Sequence, residues 1–103
     1  MTQLDRTVQK FVDAINAHDS DTFFETLSED ASMSDDGNER NLAQWTDSEI
    51  FATNARMSVE STTSPTEFVA DYSNDRWGSM RTAWRFTVRD GLISRFETGQ
   101  AGA

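Results

Sequence analysis

The sequence predicts a single α+β domain in which N-terminal helices cover one face of a curved antiparallel sheet. Three observations predict it. Apolar residues recur at helical spacing in the first half of the chain and at a period of two from Arg56 onward. Turn-forming Asp, Asn, Gly, Ser and Pro residues punctuate the second half at hairpin intervals. The length of 103 residues suits one domain with one core, burying roughly two thirds of the surface its unfolded chain exposes. Helices first and antiparallel strands afterwards is the order of an α+β fold.

Leu4, Val8, Phe11, Val12 and Ile15 share one face of a helix expected over residues 3–17, with Thr2 and Asp5 spaced as a capping box. His18-Asp19-Ser20-Asp21 then offers an N-cap for a short second helix whose apolar stripe is Phe23, Phe24 and Leu27. The two form a helical hairpin. Ala31 to Asp35 reads as a brief strand, and Asp36-Gly37-Asn38 as a turn, because these residues tolerate positive φ. A third helix capped by Asn41 spans Leu42 to Ala52, with Leu42, Trp45 and Ile50 or Phe51 pointing inward.

In the second half, Met57, Val59 and Ser61 alternate with Ser58, Glu60 and Thr62, and Ser64-Pro65 turns the chain. The returning strand places Phe68, Ala70 and Tyr72 on one face and Glu67, Val69 and Asp71 on the other. After a turn over Ser73 to Gly78 comes the clearest strand, with Met80, Thr82, Trp84, Phe86 and Val88 inward and Arg81, Ala83, Arg85, Thr87 and Arg89 outward. Asp90-Gly91 is a tight hairpin turn into a last strand, Leu92 to Thr98.

Charge and cysteine content exclude several function classes. With no cysteine and one histidine the chain has neither a disulfide framework nor the ligands of a zinc site. Nine Lys+Arg against 18 Asp+Glu give a net charge of −9; phosphate backbones and anionic bilayers are repelled, so neither nucleic acid nor membrane is an expected partner. The first residues, Met1 to Arg6, are charged where a signal peptide is apolar, and no window approaches the roughly 18 apolar residues of a membrane span. A cytoplasmic location is expected. Apart from Lys10 the cations are arginines, and the carboxylates are spread along the chain, a composition suited to a soluble acidic protein and also to high salt. The acidic stretch from Asp30 to Glu39 lacks the alternating ligands and sixth-position glycine of an EF-hand loop. No metal and no cofactor are expected.

Three strings in this order resemble the nuclear transport factor 2-like superfamily, especially its SnoaL-like and ketosteroid isomerase-like branches. They are Phe11-Val12-Asp13-Ala14-Ile15-Asn16-Ala17-His18-Asp19, then Leu27-Ser28-Glu29-Asp30-Ala31, then Trp84-Arg85-Phe86-Thr87-Val88-Arg89-Asp90-Gly91-Leu92-Ile93. The resemblance spans nearly the whole chain, 1–103, as one SnoaL-like domain. It implies a cone-shaped, cystatin-like fold: three N-terminal helices packed on a strongly bent antiparallel sheet, an apolar pocket open at one end, and a homodimer formed through the outer sheet face. The superfamily holds isomerases, dehydratases, hydrolases, polyketide cyclases and pure binding proteins, so the resemblance implies a pocket for a small organic molecule without naming a reaction.

In the isomerase branch the proton-shuttling base is an aspartate near the end of the first strand, and Asp35 is the matching position. A carboxylate at the mouth of an apolar pocket is partly desolvated, which makes it a better base near neutrality; as part of Asp35-Asp36-Gly37-Asn38 it could equally be a solvated turn residue. That branch also stabilises its enolate with a tyrosine and a protonated aspartate. The matching positions here are Phe11 and Thr82 or Ala83, so both donors are missing and a ketosteroid isomerase proper is not expected.

The inward faces supply the residues that would line a pocket: Phe11, Ile15, Trp45 and Met57 from the first part of the chain, then Phe68, Tyr72, Thr82 and Trp84 from the strands. Within this set Trp45 and Trp84 are expected as pocket wall, while Phe68, together with Phe86, is expected mainly to fill the core. Trp77, in the turn before Gly78, would cap the pocket mouth or a dimer contact. His18 is the only side chain that titrates near neutrality without perturbation, yet its place before a capping Asp19 gives it a turn role. Arg81, Arg85 and Arg89 alternate on one strand with Arg95 and Glu97 on its neighbour; they are expected to pair with Glu97, Glu60 and Asp71 on the outer face, in preference to reading an anionic ligand. The chain ends just past Thr98, so no C-terminal lid is expected.

Two functions follow as expectations. One is a pocket for a small apolar organic ligand, extending to cofactor-independent isomerase, dehydratase or cyclase chemistry with Asp35 as base. The alternative is a non-catalytic dimeric binding or interaction module whose cone is filled by its own side chains.

Overall fold

A computed structural model describes residues 3–101 of the chain. Its first helix, α1, runs Arg6–Asn16, three residues shorter at the start than the periodicity suggests. The reason is the cap: the Asp5 carboxylate accepts from the backbone N–H of Thr7 at 2.8 Å and of Val8 at 3.3 Å. Leu4 and Asp5 precede the helix, and the Asp5 N–H donates to the Pro65 carbonyl at 2.8 Å, which ties the helix start to the turn at Pro65. Thr2, the other member of the expected capping box, lies outside the described residues. At the far end His18 adopts a left-handed φ of 56°, its N–H reaching the Ile15 carbonyl while the Asp19 N–H reaches that of Ala14. That pair of bonds is a Schellman motif, and it gives the lone histidine a structural place on the exposed turn.

Asp19 then caps α2, Ser20–Glu25, accepting from the Thr22 N–H and hydroxyl. These two bonds from Thr22, its hydroxyl's foremost, hold the Asp19 carboxyl below its ordinary pKa. Leu27 does not extend the stripe of α2. It opens strand β1, Leu27–Asp35, which is longer than the expected Ala31–Asp35, because the Thr26 carbonyl already accepts from the Ile93 N–H at 2.8 Å and docks the chain on the last strand. Asp36 and Gly37 both take positive φ and turn β1 into a short β2, Asn38–Arg40.

The third helix, α3, spans Leu42–Thr46 with Asn41 capping the Gln44 N–H, and continues as a π-helical turn over Asp47–Phe51. The expected helix to Ala52 is therefore real but widened in its second half. Bonds from the Ala52 N–H to the Asp47 carbonyl and from the Ala55 N–H to that of Ile50 carry the wider turn. Strands β3, Arg56–Ser64, β4, Glu67–Asn74, β5, Gly78–Arg89, and β6, Leu92–Gln100, complete the fold.

All six strands form one sheet in the order β2-β1-β6-β5-β4-β3. It is mixed, which corrects the all-antiparallel expectation: β1 runs parallel to β6, with Met33 beside Phe96 and Asp35 beside Thr98. Periodicity identifies a strand but not its neighbour. Here the free edge of β6 is filled by a strand whose direction is set by its exit from α2. Three further departures from simple alternation are bulges, one of them at Thr63, which is extra between Thr62 facing Phe68 and Ser64 facing Glu67. Glu60 is an extra residue opposite β4, so Thr62 in place of Ser61 comes to face Phe68. Ser94 is an extra residue opposite β5, which is why Ile93 and Phe96, three apart, are both buried.

The core lies between the helices and the concave face. Phe11 is fully buried at its centre, with ring centroids of Phe23, Phe86 and Phe96 at 4.6, 5.0 and 5.2 Å. Edge-to-face and tilted contacts of this kind add to simple area burial.

Candidate functional site

Aromatic packing around Phe11 closes most of the space under the helices. At the other end, beneath α3, a cavity of about 350 Å³ remains. Its position follows from strand alternation. Met33 and Asp35 share the inward face of β1, Tyr72 and Asn74 that of β4, and Met80, Thr82 and Trp84 that of β5, so each inward row ends at the cavity. α3 and its π turn supply Trp45 and Glu49 from above, and Asp36, Arg40 and Gln100 form the rim.

Asp35 is half-buried, and its Oδ2 accepts from Trp45 Nε1 at 3.1 Å. The indole thus aims the carboxylate from α3 while its own ring stands 6.1 Å from that of Phe96. Opposite, the Tyr72 hydroxyl donates to the Glu49 carbonyl at 2.7 Å and accepts from Asn74 Nδ2 at 3.3 Å. Burial raises the Tyr72 pKa; the Asn74 bond works against that, and the carboxylates of Glu49 and Asp35 add to it. Tyr72 is therefore a neutral phenol whose proton is engaged. Trp84 Nε1 donates to Thr82 Oγ1 at 2.8 Å.

The mouth is edged by Trp77, 58 % exposed, whose Nε1 donates to Glu49 Oε2 at 3.1 Å and whose ring carries the Arg76 guanidinium at 5.1 Å. Asn74 Oδ1 accepts from the Arg76 and Trp77 N–H groups and holds this turn. On the other rim Asp36 Oδ1 accepts from the Gln100 N–H, and a Cβ on Gly99 would come within 2.6 Å of that same oxygen. Glycine at 99 is what lets the β1–β2 turn settle onto β6.

Asp35, the expected base position, lines this cavity, and of the residues expected to line a pocket so do Trp45, Tyr72, Thr82 and Trp84. Phe11, Ile15 and Phe68 do not: all three are sealed in the aromatic core, because α1 sits over the middle of the sheet and not over its open end. Met57 turns toward α1 and lines a wider, open groove of about 1000 Å³ together with Val12, Lys10 and Asn16. That groove shares no lining residue with the cavity beneath α3 and is walled largely by the exposed polar face of α1, with Arg6, Gln9, Lys10 and Asp13. Glu49, Asn74, Met80 and Gly99 were missed as site residues. Asn74 and Met80 continue the inward rows of Tyr72 and Thr82 and were legible in principle, whereas Glu49 reaches the site only through the π turn.

On the outer face Arg81 and Arg85 pair as the alternation suggests, whereas Arg89, near the Asp90-Gly91 turn, has no ion-pair partner among the described residues. Arg81 meets Glu60 at 3.0 Å, and Arg85 meets Glu67 at 2.8 Å and Glu97 at 3.7 Å. Arg95 joins Glu39, Glu97 and Ser32, fastening β2 and β1 to β6. The expected Asp71 partner is instead taken by the Ser79 hydroxyl at 2.7 Å. Among the described residues no three His, Cys, Asp or Glu side chains converge to hold a metal ion, and no helix is long and apolar enough to cross a membrane.

No protein-family model matches the sequence, and no curated protein matches it. Solved structures do. A candidate polyketide cyclase from Sinorhizobium meliloti superposes with a TM-score of 0.77 at 25% identity, covering 92% of this chain and 94% of that one. The Δ5-3-ketosteroid isomerase of Mycobacterium sp. gives 0.71 at 19% identity, covering 89% and 88%. A Mycobacterium tuberculosis protein in complex with estradiol-17β-hemisuccinate gives 0.72 at 17%, again covering 89% and 88%. Helix order, mixed six-stranded sheet and these superpositions agree: the chain has the nuclear transport factor 2-like fold.

Proposed function

We propose that the protein binds a small, planar, apolar organic molecule in the cavity beneath α3. The single observation that carries this reading is a cavity of about 350 Å³, open at a mouth edged by Trp77 and walled by Trp45, Tyr72, Met80 and Trp84, with the Asp35 carboxylate held among them. Pockets of this make-up, mostly apolar with a few placed polar groups, are the ordinary form of a ligand site. The steroid-bound Mycobacterium tuberculosis protein and the isomerase share the fold and support the ligand class by analogy.

Catalysis is a narrower form of the same proposal. Asp35 is the group placed to take a proton from a carbon acid and return it, as cofactor-independent isomerisation, dehydration or cyclisation requires. The developing oxyanion would need a donor, and those nearby are engaged: Tyr72 with the Glu49 carbonyl, Trp84 with Thr82, Trp45 with Asp35 itself. An oxyanion hole is worth several kcal/mol in such reactions, so binding is the function the geometry supports best. The alternative, a non-catalytic dimer, draws on the outer face, where alternating arginines and glutamates offer the charge self-complementarity of a two-fold interface.

A thermal-shift screen against steroids, polyketides, terpenes and short acids, run on the wild type and on Asp35→Asn, tests the reading. A melting-temperature rise with planar apolar compounds that changes in Asp35→Asn is expected. No shift with any compound overturns ligand binding, and a dimer by light scattering would then favour the interaction module.

A further inference from the structure

We infer that the molecule this cavity takes carries a protonated amine or other organic ammonium group on a flat apolar body. This rests on the ligand-binding reading above and deepens it by assigning the charge. The first ground is hydrogen-bond supply. The indole, phenol and Asn74 amide donors of the cavity wall are already spent inside the protein: Trp45 Nε1 on Asp35, Trp84 Nε1 on Thr82, the Tyr72 hydroxyl and Asn74 Nδ2 on the Glu49 carbonyl. The lining donors with no partner among the described residues are the Thr98 hydroxyl and, on the exposed rim, Arg40 and Gln100. Acceptor capacity is left over, because Asp35 Oδ1 has no hydrogen-bond partner among the described residues. A ligand group that donates is therefore matched at Asp35, deep to the donors of the rim.

The second ground is charge. Asp35, Asp36 and Glu49 line the cavity; Arg76 pairs with Glu49 at 3.7 Å and Arg40 stands exposed at the rim, so the carboxylates outnumber the guanidiniums three to two. In a chain of net charge −9 the surrounding field has the same sign, so a carboxylate or phosphate ligand is opposed both locally and globally. The third ground is the wall itself. Trp45, Tyr72, Trp77 and Trp84 present aromatic rings around the same space, and indole faces attract cations through the ring quadrupole. Trp77 already does so on its outer side, where the Arg76 guanidinium lies 5.1 Å from its centroid. Aromatic walls and the leftover acceptor of Asp35 together select an ammonium group. A volume of about 350 Å³ is at the small end for ligand sites and suits a body of one or two fused rings.

Three matched probes decide it: 2-naphthylmethylammonium, 2-naphthol and 2-naphthoate, titrated into the intact protein while tryptophan fluorescence is followed. The cation is expected to bind at least about tenfold more tightly than the anion, with neutral naphthol between them. The preference should shrink in Asp35→Asn and in rising salt. Equal binding of all three probes, or preference for naphthoate, overturns the charge assignment and leaves the cavity as a ligand site. Saturable binding of none of them overturns both readings. The wild-type comparison is decisive alone, so the test does not depend on the variant's folding.

Discussion

Trp45 and Asp35 come from different elements and meet through one hydrogen bond, Nε1 to Oδ2 at 3.1 Å, that fixes a carboxylate at the edge of an apolar cavity. Each side chain orients the other: without the indole the carboxylate is free to swing to water, and without the carboxylate a half-buried N–H is unpaired. Trp45→Phe and Asp35→Ala should each destabilise the fold by about 1 kcal/mol. In a double-mutant cycle the pair should show a coupling of about 1 kcal/mol. Urea denaturation of the four proteins measures it, and simple additivity would mean the contact holds nothing.

Asn16 performs a related task at the sheet edge. Its side-chain amide accepts from the Met57 N–H at 2.8 Å and donates to the Met57 carbonyl at 2.9 Å, taking the place of a neighbouring strand on the outward side of β3. Asn16→Ala leaves both groups open and should cost about 1–3 kcal/mol. It also uncovers an edge able to pair with another chain. Chemical denaturation together with size-exclusion chromatography would reveal both effects; an unchanged midpoint contradicts the assignment.

Tyr72 gives a pH prediction with a clean probe, because it is the only tyrosine in the chain. Its pKa is raised on folding, first by burial, above the ordinary value of 10.0. A group whose native pKa is raised contributes fully below its unfolded pKa and loses that contribution as pH rises through the native one. Stability should therefore fall as pH climbs past 10.0 toward the native value, with tyrosinate absorbance rising in the same window as the loss of structure. Tyr72→Phe should flatten this alkaline decline while costing about 1 kcal/mol at neutral pH through the lost bond to Glu49. An absorbance titration identical to that of free tyrosine would refute it.

Glu39 supplies the acid-side counterpart. Its hydrogen bond with Arg95 holds the carboxyl below its ordinary value of 4.5. A lowered native pKa means the contribution is present above pH 4.5 and fades as pH falls through the lower native value. Arg95→Gln should return Glu39 to ordinary titration, seen in carboxyl carbon shifts, and should loosen β2 without unfolding the core. Titration of Glu39 at its lowered value in Arg95→Gln would assign the shift to some other group.

Thr46 predicts a change in the opposite direction. It is fully buried where α3 passes into the π turn, and its Oγ1 has no hydrogen-bond partner among the described residues. Thr46→Val keeps the shape and removes an unpaired hydroxyl, so it should be neutral or stabilise by about 1–2 kcal/mol. A clear loss of stability by thermal or urea unfolding would show that the hydroxyl is satisfied in solution.

Most of the fold was readable along the chain because its signals are local. The alternation of Thr82, Trp84 and Phe86 against Arg81, Ala83 and Arg85 sets the inner and outer faces of β5, and Asp90-Gly91 both take the positive φ that a tight hairpin requires. Alternation also runs Tyr72, Thr82 and Trp84 to the cavity. What alternation cannot supply is an arrangement set by distant partners. The parallel neighbour of β1, the bulges at Glu60 and Ser94, and the π turn that delivers Glu49 each depend on contacts remote in sequence. The same holds for the division between core and cavity. Phe11 and Trp84 both carry inward aromatic rings, and only the seating of α1 over the middle of the sheet seals the first while leaving the second open to the space beneath α3. Composition and period determine which faces turn inward; packing between remote elements decides where the inside is left unfilled, because a void is a property of all the walls together.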